Sequence, residues 1–163
     1  MRKYAEALYV EEPIRGNGKD NDIALSTIDF DQSKGGNPYP CVRDVDAHYE
    51  DGKFYITTWL ETRKMKQIAQ CEEVGFSVNM EGFYGRGIGR NLGWVLAKEN
   101  TQLREKLKKT FADWYEIANN EQSENCVILE MEILKGTVMQ DHGAVHYEID
   151  FVNKSAIGER GIK

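Results

Sequence analysis

The residues best placed to do chemistry are the basic side chains that follow Thr62. Residues 54–68 are expected to form a strand, a short turn and a helix, with Thr62 as N-cap and a cationic first turn. A helix start carries a partial positive charge and favours acidic side chains, so these cations lie at the unfavourable end. A phosphate would relieve this by accepting bonds from backbone N–H groups, Arg63 and Lys64. The alternative is that Glu61 and solvent balance the charge.

Arg43 is a second basic residue that is expected to have an anion beside it. It lies in the strand predicted over residues 39–49, where alternation gives it an apolar face shared with Cys41, Val45, Ala47 and Tyr49. A buried guanidinium needs either a carboxylate of the chain or a ligand anion, because an unpaired buried charge is costly. The turn at Asp51-Gly52 pairs this strand with the one that leads into the cationic helix. Arg43 is therefore expected beside Thr62.

The strand predicted over residues 83–96 carries a row of glycines on one face. The row contains Gly85, Gly87, Gly89 and Gly93, interrupted by Asn91. Because glycine is poor in strands, the row indicates either a tightly curved barrel wall or a flat ligand against bare backbone. The side chains of Tyr84, Arg86 and Arg90 are predicted to point the other way, toward an anion or solvent.

The histidines do not suggest a metal or hydrolase site. His142 and His146 fall in a turn and a strand rather than on a helix, and His48 is expected to be solvated on the polar face of its strand. The sequence has no Ser-His-Asp set, Walker loop or G-x-G-x-x-G after a strand. Hydrolase and nucleotide-kinase functions therefore lose support.

Length and composition predict one folded domain over residues 1–163. The chain is 40% hydrophobic, and its net charge of −6 disfavours non-specific binding to nucleic acid or anionic membrane. The three cysteines are odd in number and lack a C-x-x-C pair, so reduced thiols are expected. No apolar stretch reaches the length of a membrane span or a signal core, which predicts a cytoplasmic protein.

Period-two alternation predicts a mainly β fold with flanking helices. Strands are predicted over residues 23–28, 39–49, 54–59, 74–80, 83–96, 127–133 and 145–151. The dipeptides Asp51-Gly52 and Glu81-Gly82 predict antiparallel hairpins. Helices are predicted over residues 62–71 and 99–119, with a short one over residues 1–9. Six or seven short strands with few helices favour a closed or sandwiched antiparallel architecture.

These motifs resemble the pyridoxamine 5'-phosphate oxidase-like proteins, a superfamily of FMN-binding split β-barrels. The matching pieces are Pro40-x-x-Arg43-x-Val45, Asp51-Gly-Lys-Phe-Tyr-Ile-Thr-Thr58, Thr62-Arg-Lys64-x-x-Gln67-Ile68 and Gly85-Arg86-Gly87. Their order matches over about residues 20–150, and the smaller relatives include general stress proteins and flavin reductases. The resemblance implies a six- to seven-stranded antiparallel split barrel and a homodimer with two FMN sites at its interface.

The resemblance also implies which residues bind FMN. Those expected at the phosphate are Arg43, Thr62, Arg63 and Lys64. Those expected near the flavin ring are Val45, Thr57 and Thr58, with Tyr84 near a position that is often polar. No catalytic acid or base stands out in the sequence, and no metal ligand is predicted.

The function implied is that of an FMN-dependent oxidoreductase acting between a nicotinamide or small reduced substrate and a small acceptor. Vitamin B6 oxidation is not expected. The sequence ends over residues 153–163 without the tryptophan, arginine and histidine segment of those oxidases, and His48 stands where they have a lysine. Two alternatives remain: a non-catalytic flavin-binding or stress-related sensing protein, and a heme-binding relative on the same barrel.

Overall fold

The computed structural model describes residues 18–31 and 35–161. Within these ranges the strands are β1 (Asp20–Asp29), β2 (Tyr39–Glu50), β3 (Lys53–Trp59), β4 (Glu73–Val78), β5 (Phe83–Trp94), β6 (Cys126–Gln140), β7 (Val145–Asp150) and β8 (Ser155–Arg160). The α-helices are α1 (Arg63–Gln70), α2 (Thr101–Thr110) and α3 (Tyr115–Ala118). The helix predicted over residues 1–9 lies outside the described residues.

The strands form one antiparallel sheet in the order β3-β2-β1-β4-β5-β6-β7-β8. A second pairing joins β3 to β6, where Phe54 lies opposite Met131, and this closes the first six strands into a barrel. β7 and β8 extend the sheet outside it. The predicted split-barrel architecture is confirmed, with β8 as a strand that the sequence pattern did not predict.

Period-two alternation builds the barrel interior. Along β1 the side chains of Ile23, Leu25 and Thr27 are fully buried, while the residues between them are partly exposed. The centre of the core is aromatic: the ring of Phe76 lies 5.2 Å from that of Phe54 and 5.1 Å from that of Phe83. Burial of such rings, together with the aliphatic side chains around them, stabilises the barrel.

β2 and β3 pair only beside the turn that joins them. Asp51 and Gly52 form this turn with φ angles of 49° and 82°, as their sequence predicted. Pairing ends where His48 lies opposite Tyr55, after which β2 pairs only with β1 and β3 only with β6. The two strands therefore part, and α1 follows β3 on the inner side of β1.

The glycine row of β5 faces the barrel interior, where other backbone lies very close. A Cβ atom on Gly85 would lie 2.1 Å from the carbonyl oxygen of Lys135, and one on Gly87 would lie 2.2 Å from that of Glu132. The strand register also shifts between Arg86 and Gly87, which marks a bulge. Close backbone therefore explains Gly85 and Gly87, in agreement with a tightly curved wall, whereas Gly93 has open space around it and a positive φ of 83°.

The single helix predicted over residues 99–119 is instead two helices. The backbone leaves the helical region at Phe111, with φ −101° and ψ 28°, and again at Trp114, with φ −135° and ψ −11°. The break lets the two rings stack with 4.5 Å between centroids, and it places Phe111 and Tyr115 in a second apolar cluster with Leu107 and Ile128. Packing of these rings against the outer face of β6 outweighs helix continuity.

Candidate functional site

Six polar side chains come together where the last residues of β1, the first half of β2 and the helix α1 meet. We call this set the Arg43 cluster: Thr27, Asp29, Arg43, Arg63, Lys64 and Gln67. The strand alternation that buries the barrel core also turns Thr27, Asp29 and Arg43 inward. Gln67 lies on the buried face of α1 and packs against them. The expected proximity of Arg43 to the cationic helix is therefore confirmed.

Arg43 is held only by neutral oxygen atoms. Its Nη1 donates to Thr27 Oγ1 at 2.5 Å and to the Leu25 carbonyl oxygen at 3.4 Å, and its Nη2 donates to Gln67 Oε1 at 2.9 Å. Among the residues that the structure describes, no carboxylate forms an ion pair with Arg43. Burial lowers the pKa of Arg43, the nearby Cys41 raises it, and the positive charge of Arg63 lowers it. Its charge is fixed in place without being neutralised.

Lys64 is a half-buried cation next to Arg43. Burial lowers its pKa from the usual value, and the positive charge of Arg43 lowers it further. Within residues 18–31 and 35–161, its ammonium forms no ion pair or hydrogen bond. Two neighbouring cations that lack a described carboxylate create an electrostatic cost that a bound anion would relieve.

Arg63 differs from its two neighbours because a carboxylate of the chain already contacts it. Its Nη2 donates to Asp29 Oδ2 at 3.0 Å. The buried Asp29 also accepts bonds from Gln67 Nε2 at 2.9 Å and from the backbone N–H of Asp31 at 2.8 Å. The sequence allowed an ion pair between Arg43 and a carboxylate of the chain. In the structure it is Arg63 that forms such a pair, with Asp29.

The start of α1 has no side-chain cap. Thr62 occupies the predicted N-cap position with φ −67° and ψ 153°, but its hydroxyl donates back to the Trp59 carbonyl oxygen at 2.8 Å. The first turn of α1 contains no acidic residue. The helix start therefore offers backbone N–H groups and a positive end to an anion, beside Arg43 and Lys64.

The residues expected near the flavin ring fall on two faces of the barrel wall. Val45 and Thr58 lie on the inner faces of β2 and β3, near the place where these strands part. Thr57 and Tyr84 lie on outer faces, so the structure does not bring them to the Arg43 cluster. The Thr57 hydroxyl oxygen is buried and has no hydrogen-bond partner among the described residues.

Three members of the cluster were not among the predicted site residues: Thr27, Asp29 and Gln67. A signal for two of them is present in β1, because the inward alternation of Ile23 and Leu25 continues into Thr27 and Asp29. A hydroxyl and a carboxylate on an otherwise apolar face need polar partners. Gln67 belongs to the matched helix motif, but nothing in the sequence indicates that its amide is buried.

His48 is buried rather than solvated, which corrects the expectation for this residue. Its side chain is 4% exposed, and its Nδ1 lies 2.8 Å from Thr110 Oγ1 at the end of α2. The error arises because α2 packs over the outer face of β2, a tertiary contact that alternation cannot reveal. His146 is exposed and lies 3.2 Å from Glu148. The described residues contain no group of three or more His, Cys, Asp or Glu side chains that could hold a metal ion.

Arg90 points outward from β5, as predicted, but carboxylates of the chain already bind it. Its Nη1 donates to Glu130 Oε1 at 3.4 Å and also to Glu132. Lys53 completes the set with a bond of 2.9 Å to Glu130 Oε2. This charge network ties β3, β5 and β6 together and is separate from the Arg43 cluster.

In the part of the chain that the structure describes, none of the helices combines the length and the apolar character that crossing a membrane requires.

Comparison with known proteins supports the fold. No protein-family model and no curated protein matches the chain. Among solved structures, a protein from Clostridium acetobutylicum related to general stress protein 26, of the pyridoxinephosphate oxidase family, superimposes with a TM-score of 0.60 at 11% identity. The alignment covers 93% of this chain and 99% of that one.

Two further similar structures are of proteins named for the cofactor that they bind. A FAD-binding protein from Mesorhizobium loti gives a TM-score of 0.53 at 16% identity, covering 77% of this chain and 89% of that one. A heme binding protein from Mycobacterium smegmatis gives a TM-score of 0.63 at 9% identity, covering 93% of this chain and 59% of that one. At these identities the likeness shows the split-barrel fold, as the motifs predicted.

Proposed function

We propose that this split-barrel protein is an FMN-dependent oxidoreductase that holds the cofactor phosphate at the Arg43 cluster. The observation that carries the proposal is the adjacency of Arg43 and Lys64, two half-buried cations without an ion-pair partner among the described residues. A phosphate monoester carries close to two negative charges at neutral pH and accepts several hydrogen bonds. Its charge and shape therefore suit this pair and the uncapped start of α1.

Each basic residue has a distinct part in this proposal. Arg43 is oriented by Thr27 and Gln67 and would donate to the phosphate from its remaining N–H groups. Lys64 would add a point charge. A guanidinium has five N–H donors, so Arg63 can contact both the phosphate and Asp29. Thr62, whose hydroxyl faces Trp59, would contribute mainly through its place at the helix start.

The ring of the cofactor would lie toward Val45 and Thr58, where β2 and β3 part. Thr57 and Tyr84 lie on outer faces and would reach a cofactor only across an interface with a second protomer. We therefore include in the proposal a homodimer with FMN at the interface. Exposed apolar side chains on the outer faces support it, among them Val42 at 65% exposure and Tyr84 at 40%.

FMN, when bound, supplies the hydride- and electron-transfer chemistry. The protein's own residues would bind and orient the cofactor, and no acid or base of this chain is assigned a proton transfer. The electron donor is proposed to be a nicotinamide or a small reduced substrate, and the acceptor a small molecule. A cytoplasmic setting is proposed as well, and the free thiols of Cys41, Cys71 and Cys126 support it.

The test begins with the absorption spectrum of the purified protein and a titration of the flavin-free chain with FMN and riboflavin. Saturable FMN binding, with riboflavin much weaker, is the expected result because riboflavin lacks the phosphate. Failure to bind FMN would overturn the proposal. A Soret band after addition of hemin, without FMN binding, would instead identify the heme-binding alternative.

Catalysis is tested separately from binding. The FMN-loaded protein is mixed anaerobically with NADH or NADPH, and bleaching of the flavin absorbance is followed. Rapid bleaching, with reoxidation by an added acceptor and repeated turnover, is expected of an oxidoreductase. Flavin that stays oxidised under excess of both nicotinamides and small reductants would identify the non-catalytic flavin-binding alternative.

A further inference from the structure

Gln67 lies between the half-buried cation Arg43 and the buried anion Asp29 of the Arg43 cluster. Its Oε1 accepts bonds from Arg43 Nη2 at 2.9 Å and from Thr27 Oγ1 at 2.5 Å. Its Nε2 donates to Asp29 Oδ2 at 2.9 Å. The orientation of the amide is determined by these neighbours, because the reversed amide would point N–H donors at a guanidinium. Gln67 is 6% exposed, so water does not offer it alternative partners.

The amide satisfies both charged neighbours without adding charge. Arg43 and Asp29 are opposite charges in the same desolvated cluster, where their attraction is much stronger than in water. A direct ion pair between them would neutralise the guanidinium and leave less charge for a ligand. The amide group of Gln67 occupies the position between them and provides each with a hydrogen bond in place of that ion pair.

We propose that Gln67 is a positioning residue that keeps Arg43 apart from Asp29, so that the guanidinium charge remains available to the cofactor phosphate. This inference rests on the proposed FMN function. Thr27 assists, since its hydroxyl accepts a bond from Arg43 and donates one to Gln67. Gln67 thereby sets the preference of the site for a phosphorylated flavin over an uncharged one.

The first experiment compares Gln67→Glu with Gln70→Glu. Both replace an amide by a carboxylate of the same size, but Gln70 is the exposed last residue of α1. FMN binding is expected to weaken roughly 10- to 100-fold in Gln67→Glu, because the new carboxylate neutralises Arg43. Riboflavin binding should change by less than about twofold, and Gln70→Glu should bind both flavins as the wild type does.

The ratio of FMN to riboflavin affinity separates positioning from general structural damage. A damaged fold lowers binding of both flavins together, whereas loss of the available charge lowers binding of FMN alone. Unchanged FMN affinity in Gln67→Glu would overturn the inference. An equal loss of both flavins would also overturn it.

A second variant decides the inference without any flavin. Gln67→Leu removes all three hydrogen bonds of the amide, to Arg43, Thr27 and Asp29, so its crystal structure is expected to show the Arg43 guanidinium within about 4 Å of the Asp29 carboxylate. An Arg43 side chain that still donates to Thr27 in that variant, away from Asp29, would contradict the inference. Gln67→Met repeats the test with an unbranched side chain. If the wild type fails to bind FMN, the proposed function fails, and these structures still show whether Gln67 separates the two charges.

Discussion

Burial lowers the pKa of the Lys64 ammonium, and Arg43 lies close enough for its guanidinium charge to lower that pKa further. The two cations come from different elements, β2 and α1, and the bonds that fix Arg43 are made to uncharged acceptors. Asp29, the buried acid of the cluster, contacts Arg63 and Gln67. The fold therefore concentrates positive charge at one point of a chain whose net charge is −6.

Replacement of Lys64 by alanine is expected to weaken FMN binding roughly 10- to 100-fold, because one charge-assisted bond to the phosphate is lost. The stability of the flavin-free chain should stay the same or rise, since the variant no longer places a half-buried cation beside Arg43. Lys66→Ala is the matched control: it removes an exposed lysine from the same helix. Flavin fluorescence titration and thermal unfolding measure the two effects. Equal affinities for the two variants would remove Lys64 from the site.

The affinity for FMN is expected to be highest at intermediate pH. On the acid side it falls as the phosphate takes up its second proton near about pH 6. On the alkaline side it falls as pH rises through the lowered pKa of Lys64, below the ordinary value of 10.5, because the neutral amine no longer attracts the phosphate. Dissociation constants measured across this range test the profile. Lys64→Arg should move the alkaline decline to higher pH, and an unmoved decline would assign it to another group.

Stability is expected to fall in mild acid because of His48. Burial lowers its pKa from 6.5, so the unfolded chain binds the proton more readily than the folded one. The contribution is fully present above pH 6.5 and is lost as the pH falls below that value. Urea unfolding at successive pH values should show a smaller acid loss in His48→Gln. An unchanged acid loss in His48→Gln would assign the loss to other groups.

The hydrogen bond between His48 and Thr110 gives a related expectation. Thr110→Val keeps the shape of the side chain but removes the hydroxyl that lies 2.8 Å from His48 Nδ1. The buried ring nitrogen then lacks its partner, which is expected to lower the free energy of unfolding by about 1 to 3 kcal/mol. Urea unfolding at neutral pH measures the change. A loss near zero would show that water replaces the hydroxyl.

Gly85→Ala is expected to destabilise the barrel by about 3 kcal/mol, because the new Cβ would meet the Lys135 carbonyl oxygen and the backbone must move. The present backbone leaves no room for a Cβ beside this oxygen. Gly75→Ala, on the neighbouring strand, is the control, since its nearest contacts are Ser26 Cβ at 3.5 Å and the Gly85 carbonyl oxygen at 3.7 Å. Free energies of unfolding in urea distinguish the two. Equal stabilities would show that the wall has room for a methyl group at both positions.

Local patterns were enough to predict much of the fold. Alternation in β2 correctly turned Arg43 inward, and the Asp51-Gly52 turn correctly paired β2 with β3. The cationic helix begins within one residue of the predicted position. Each of these features is determined by residues that are close together in the sequence, so local patterns are sufficient to predict it.

The features that the sequence did not reveal depend on contacts between distant segments. His48 is buried because α2 packs over it, and the predicted long helix breaks at Phe111 because ring packing on β6 outweighs helix continuity. The amide of Gln67 is buried and hydrogen-bonded only because α1 packs against β1 and β2. The strand β8 pairs with β7 at the sheet edge, where exposed residues such as Ile157 leave no clear alternation. The cofactor-binding roles stay predictions for all eight residues: Arg43, Val45, Thr57, Thr58, Thr62, Arg63, Lys64 and Tyr84.

All members of the Arg43 cluster come from the chain between Thr27 and Gln67, whereas the strand that seals the barrel arrives much later, when Met131 meets Phe54. A nascent or refolding chain thus holds every side chain proposed to bind the phosphate before it has a closed wall to support them. Uptake of flavin from solution is then expected to be among the last events of folding. The time course of flavin fluorescence quenching during refolding would then report when β6 pairs with β3.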